Sequence, residues 1–250
     1  MMTVKMADRA FQIVGEDKAG RWVLTCDHAS NRVPSWVNGG DLALPAEDMQ
    51  RHIAFDIGAA GVTRHLSELL NSPAILSDFS RIVIDPNRGH DDPTLMRKIY
   101  DGSIIPANRD ATAQDLQRRK DELYFPYHAA IADTATKVEN PVICAIHSFT
   151  PQLQNQPKRP WEIGILYAED TRLAAPLMDA CRDSGWCVGD NRPYNGDLPG
   201  DAIDQHALQH GRPNVLIELR NDLIAEDAGQ RLWAERLAPI LTETLAATGL

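Results

Sequence analysis

No run in this 250-residue chain approaches the ~20 consecutive apolar residues that a membrane-spanning helix needs, which argues against an integral membrane protein. Cysteine is scarce: there are four, none in a CxxC pair, so a zinc ribbon or finger is excluded. Cys26 and Cys144 lie inside apolar runs, where a free thiol behaves as a small hydrophobe. Basic residues are outnumbered, 25 Lys and Arg against 35 Asp and Glu, and a formal net charge of -10 disfavours nucleic acid as a partner. The N-terminal stretch MMTVKMADRAFQIVGEDKAG lacks the uninterrupted apolar core of a secretion signal, so a cytoplasmic location is expected. Internal repeats, low-complexity tracts and clear linkers are also missing, as is the GxSxG elbow of many serine hydrolases. The remaining composition, 43% hydrophobic and 24% charged, is that of an ordinary globular protein, and a single domain over 1–250 is expected.

Three apolar, β-branched runs each end in one chemically competent side chain: VLTCDHASN in His28, PVICAIHSF in His147 and NVLIELRND in Glu218. A run without polar alternation reads as a strand buried on both faces, as in a parallel sheet covered by helices. Ligands of such sheets gather at the carboxyl ends of the strands, where two imidazoles and a carboxylate can hold a divalent metal and activate water. Between these runs, LPAEDMQRHIAFDIGAAGVTRHLSELLNS has helical spacing from Pro45 onward, with Gly58 and Gly61 as break points. ILS and RIVID read as short strands, and a further helical stretch bends or breaks at Pro126. WEIGILYA and the start of WCVGDNRPYNGDLPGD are strands, and TRLAAPLMDACRDSG, AIDQHALQHG and the C-terminal stretch are helices. Alternating strands and helices imply one α/β layer sandwich.

His28 and Asn31 are three apart in a turn and close enough to converge on one ion, although asparagine is a poor zinc ligand and equally suits a substrate hydrogen bond. Asp56 is the other candidate for a third ligand, while Asp27 points elsewhere if its strand stays extended. His52, His65 and His210 read as surface or packing residues. Arg81, Asn87 and Arg88, in SRIVIDPNRGHDDP, offer a basic pocket for an anionic group, with ion pairs to Asp85, Asp91 or Asp92 as the alternative. His90, Asp91 and Asp92 form a rival metal cluster. A carboxylate inside so apolar a strand as that of Glu218 needs a cation, either Arg220 on the same face or a metal. Facing the metal, its pKa would rise toward the working pH of a general base.

The blocks CDHASNRVP, SRIVIDPNR, AIHSF, Pro193-Tyr194 and IELRNDL resemble the signature blocks of the N-formylglutamate amidohydrolase family, in order and over nearly the whole chain. The resemblance implies the fold of zinc carboxypeptidases and aspartoacylase-like deacylases, a three-layer αβα sandwich around a mixed, largely parallel sheet. It also implies a metal-dependent amide hydrolase, with zinc as the metal and a small anionic N-acyl amino acid as substrate. By the same resemblance His28 and His147 match metal ligands, and Asn31 stands where carboxypeptidases have a metal-binding glutamate. Glu218 then matches the general base, Arg81 an arginine that polarises the scissile carbonyl, Asn87 and Arg88 the grip on a substrate carboxylate, and Tyr194 a residue closing over the substrate. Three rivals accompany this expectation: another N-acyl amino acid or peptide end on the same residues, a binding protein with a degraded metal site, and a nucleophile at Ser148 or Cys26.

Overall fold

The computed structural model describes residues 8–250, so the first seven residues of the stretch read for a secretion signal lie outside the described residues. In chain order the elements are β1 (Phe11–Val14), β2 (Trp22–Cys26), α1 (Ala59–Leu69), β3 (Ala74–Ser77), the hairpin strands β4 (Ile99–Tyr100) and β5 (Ser103–Ile104), α2 (Pro106–Arg109), α3 (Ala113–Arg119) and α4 (Phe125–Lys137). They continue with β6 (Val142–Phe149), β7 (Ile163–Leu166), α5 (Ala174–Asp183), β8 (Val188–Asp190), α6 (Ala202–His206), β9 (Asn214–Arg220) and α7 (Asp227–Thr248). No helix among the described residues is long and apolar enough to cross a membrane.

Seven strands form one mixed sheet in the order β1-β3-β2-β6-β9-β7-β8. Its centre, β3-β2-β6-β9, is parallel, β1 and β7 each join antiparallel to their inner neighbour, and β8 runs parallel to β7. The apolar runs are buried on both faces because successive side chains alternate. Trp22, Leu24, Cys26, Val142, Cys144 and Ile146 enter one core with α1, α5 and α7. Val23, Ile143, Ala145 and Leu216 enter the other, with residues of α4 and α6. The result is the expected three-layer αβα sandwich.

Two local expectations change, and the expected interruption at Pro126 takes a specific form. Helix α1 begins only at Ala59, and most of the stretch from Pro45 to Gly58 is irregular. Gly58 has φ 82°, and a Cβ there would collide with the Ile224 carbonyl oxygen, so the chain turns at this glycine before entering the helix. Pro126 is accommodated by a π-turn over Lys120–Tyr124 that precedes α4, since a proline nitrogen cannot donate the regular helical bond.

RIVID is not a strand. Its backbone groups find partners from side chains: Asn108 Nδ2 donates to Ile82 O at 2.6 Å, and Arg119 Nη1 donates to Val83 O at 2.7 Å and to Asn108 Oδ1 at 2.6 Å. A buried backbone outside a sheet must be satisfied in this way, so apolarity of the segment signalled burial rather than pairing.

Candidate active site

Register builds the site. His147 of β6 lies beside Glu218 of β9 in the parallel pair. By the two-residue alternation both side chains project toward the core layer that contains α4 and α6. Opposite Glu218, in β7, stands Gly164, where a Cβ would strike the Arg192 carbonyl oxygen and crowd the Glu218 Cβ at 3.4 Å. His28 follows the end of β2, and its carbonyl accepts from Asp56 N at 2.9 Å, which brings the Asp56 segment back over the strand ends.

Asp56 Oδ2 is the meeting point. His147 Nδ1 lies 2.9 Å from it, His28 Nδ1 3.3 Å, and Ser148 N donates to it at 3.1 Å. The Nε2 atoms face outward to a second pair of carboxylates: His28 to Asp85 Oδ1 at 2.7 Å, and His147 to Asp27 Oδ2 at 2.8 Å. Asp27, expected to point away, is therefore part of the site, held also by Tyr127 OH at 2.6 Å. Burial alone would lower the His147 pKa, but Asp27 and Asp56 override it and hold the imidazole well above its ordinary range. Burial likewise opposes charge on Asp56, yet the two histidines keep it below the usual carboxylate range.

An imidazole whose two nitrogens both face carboxylate oxygens needs positive charge, supplied by a second proton or by a metal ion on Nδ1. His28, Asp56 and His147 offer ligand atoms within 4.8 Å of one another, all three residues buried. Two nitrogens and one carboxylate oxygen, with carboxylates orienting the far imidazole nitrogens, form a donor set that suits a divalent metal ion. Asn31 stands outside it. Its Nδ2 donates to Met49 O at 2.8 Å, and the residue is not among those lining the cavity. The segment 90–92 contributes no second cluster of metal-ligating groups among the described residues.

Glu218 is 6% exposed and its Oε2 has no protein partner, while Arg220 pairs with Asp222 at 2.8 Å instead. Burial pushes the Glu218 carboxyl up to about 8, with His147 opposing, Asp56 reinforcing and Arg81 and Arg159 opposing. Arg81 is held by Asp85 at 2.9 Å and Asp56 at 3.4 Å, and its buried Nε is unpartnered. Asn87 Oδ1 accepts from Ala202 N at 3.3 Å, so its amide nitrogen has no acceptor among the described residues. Arg88, whose Nη1 donates to Asn87 O at 2.6 Å, has no carboxylate within ion-pair distance among them. His28, Asp56, Arg81, Asn87, Arg88, His147 and Glu218 line a cavity of ≈ 230 Å³, together with Tyr194, His52, Tyr100 and Asp201.

Sequence reasoning assigned His52 to surface or packing and passed over Tyr100 and Asp201. In the sequence Asp85 reads only as an ion-pair partner of the nearby arginines, which it is for Arg81 at 2.9 Å, while its contact with His28 emerges only in the structure. The serine and cysteine alternatives lack geometry. Ser148 Oγ donates to Ile57 O at 2.8 Å, and burial, with Asp56 and Asp27 nearby, pushes the Cys26 thiol well above its ordinary pKa.

Beneath the Asn87–Arg88 loop lies a buried imidazole pair. His128 Nε2 faces Pro86 O at 3.0 Å and must carry the proton, so its Nδ1 accepts from His206 Nε2 at 2.8 Å. Burial lowers the two pKa values to about 4 and about 3. An unfolded histidine titrates near ~6.5, so between pH 6.5 and 4 the unfolded chain binds more protons and stability falls with falling pH. At pH 5 each histidine should cost about 2 kcal/mol relative to pH 7. Melting temperature should therefore drop less between pH 7 and pH 5 for His206→Gln, which retains a donor for His128, than for the parent chain. Equal drops in the two proteins would show that the pair does not drive acid sensitivity.

The profile of the N-formylglutamate amidohydrolase family matches residues 20–225. Among solved structures, gene product Atu2144 from Agrobacterium tumefaciens is 32% identical, with 97% of each chain covered and a TM-score of 0.90. N-formylglutamate amidohydrolase from Ralstonia eutropha JMP134 is 20% identical, covering 97% of this chain and 98% of its own, with a TM-score of 0.71, a likeness of fold. No curated protein matches. Since the profile spans most of the chain and the site residues fall within it, the chain belongs to the N-formylglutamate amidohydrolase family.

Proposed function

We propose that the chain uses a divalent metal, zinc by its donor set, to hydrolyse the amide bond of a small anionic N-acyl amino acid, N-formyl-L-glutamate foremost, giving formate and L-glutamate. The observation that carries this reading is the convergence of His28 Nδ1 and His147 Nδ1 on Asp56 Oδ2, beside a buried carboxyl, Glu218, with one oxygen unpartnered. When bound there, such an ion lowers the pKa of water toward ~7 and polarises a carbonyl oxygen. Glu218 takes the proton from the attacking water and passes it to the leaving amine nitrogen, a role suited to a carboxyl whose pKa burial has raised. Asp85 and Asp56 hold the Arg81 guanidinium in place, and its free Nε–H is the donor that meets the oxyanion as negative charge develops. The Asn87 amide and Arg88 anchor a substrate carboxylate, and Tyr194 covers the mouth of the cavity.

Metal analysis of the purified protein, paired with formate release from N-formyl-L-glutamate and acyl release from a panel of N-acetyl amino acids, tests the reading. Chelation should abolish turnover and added zinc should restore it. Full activity in metal-stripped protein would sink the metal assignment, and failure of metal-loaded protein on every N-acyl amino acid would sink the reaction.

A further inference from the structure

Two arginines, Arg81 and Arg88, line the cavity, a third, Arg159, packs against its lining residues Phe149 and Tyr194, and the three differ in how their charge is matched. Arg81 lies between Asp85 and Asp56. Arg88 and Arg159 have no carboxylate within ion-pair distance among the described residues, and they approach from different segments: Arg88 from the loop after Asp85, Arg159 from the loop between β6 and β7. Arg159 passed unnoticed in the sequence because it sits in a polar, proline-marked loop, TPQLQNQPKRP, with no periodicity.

That loop is anchored where it matters. Arg159 N donates to Pro151 O at 2.8 Å, and the side chain's Nη1 donates to Thr150 O at 2.9 Å and to Tyr194 OH at 3.4 Å. The guanidinium carbon lies 5.2 Å from the Tyr194 ring centroid and 5.7 Å from that of Phe149. Phe149, Thr150 and Tyr194 all line the cavity that contains Glu218. Each of these side-chain bonds uses Nη1, and the Nε and Nη2 edge has no acceptor among the described residues. Two parallel N–H groups on one guanidinium edge match the two oxygens of a carboxylate.

Resting on the function proposed above, we infer that Arg159 is a specificity residue that binds the side-chain carboxylate of an acidic N-acyl amino acid, while Arg88 and Asn87 hold the α-carboxylate. A guanidinium fixed by two aromatic rings and a backbone carbonyl loses little further freedom on binding, so the preference for a dianionic substrate is built in before the substrate arrives.

The test compares kcat and KM for N-formyl-L-glutamate and its uncharged isostere N-formyl-L-glutamine, in the parent chain, Arg159→Gln and Arg159→Lys, all metal-loaded. The parent should prefer the glutamate compound by ~10–10²-fold in kcat/KM, the range of a charge-assisted hydrogen-bond pair. Arg159→Gln should lose that preference, mainly through KM for the glutamate compound, with the glutamine compound little changed. Arg159→Lys should recover part of it, as a point charge without the fork. Equal loss on both substrates would mark a merely structural role and overturn the inference, as would a preference that survives in Arg159→Gln. A parent enzyme active on both compounds without discrimination would overturn the inference alone, leaving the amidohydrolase reading intact. A metal-loaded parent inert on both would overturn that reading for N-formyl substrates, and this inference with it.

Discussion

Replacing Glu218 by glutamine should lower kcat for N-formyl-L-glutamate by ~10²–10⁴-fold while metal content stays the same. The substitution conserves shape in a buried, β-sheet position, and Oε2 has no protein hydrogen bond to lose. Glutamine can neither accept the proton of an attacking water nor return it to an amine, so the loss should fall on the chemical step, with KM little moved. Metal analysis and a melting curve beside the kinetics check that site and fold are retained. A variant with full metal and unchanged kcat would remove Glu218 from the mechanism.

Asp56 should have the larger effect on the metal itself. Asp56→Asn keeps the size of the side chain but takes away the charge shared by His28, His147, Ser148 N and Arg81. Zinc affinity, measured by competition with a chromophoric chelator, should fall by more than the ~10–100-fold that loss of an outer-sphere partner costs, and formate release should fall with it. Asn31→Ala is the paired control. Asn31 donates to the Met49 carbonyl and does not line the cavity, so that variant should bind zinc as the parent does. The reverse result, zinc lost in Asn31→Ala and kept in Asp56→Asn, would make Asn31 the third ligand, the other candidate that the sequence offered.

The contrast between these two residues shows where sequence reading works. An unbroken apolar, β-branched run is a local property, so β2, β6 and β9, buried on both faces, were legible as strands, and His28, His147 and Glu218 at or near their ends followed from them. Helix starts were less legible. Pro45 and the acids near it resemble a helix entry, but the chain turns at Gly58, whose positive φ and close approach to the Ile224 carbonyl require glycine, and the helix starts only at Ala59. RIVID failed for a related reason: apolarity reports burial, and Asn108 and Arg119 satisfy its carbonyls without a sheet.

By itself, then, the sequence determined the layered α/β class, the central strands and the imidazoles and carboxylate they deliver, because apolar runs and the polar residues that end them are written residue by residue. Tertiary structure alone decided that Asp56 joins the two histidines, that Asp27 and Asp85 orient them, and that Arg159 packs against Phe149 and Tyr194 of the cavity lining. Those groups come from segments far apart in the chain, and their distances depend on strand order, on the Asp56 N to His28 O hydrogen bond and on loop paths, which no local pattern encodes.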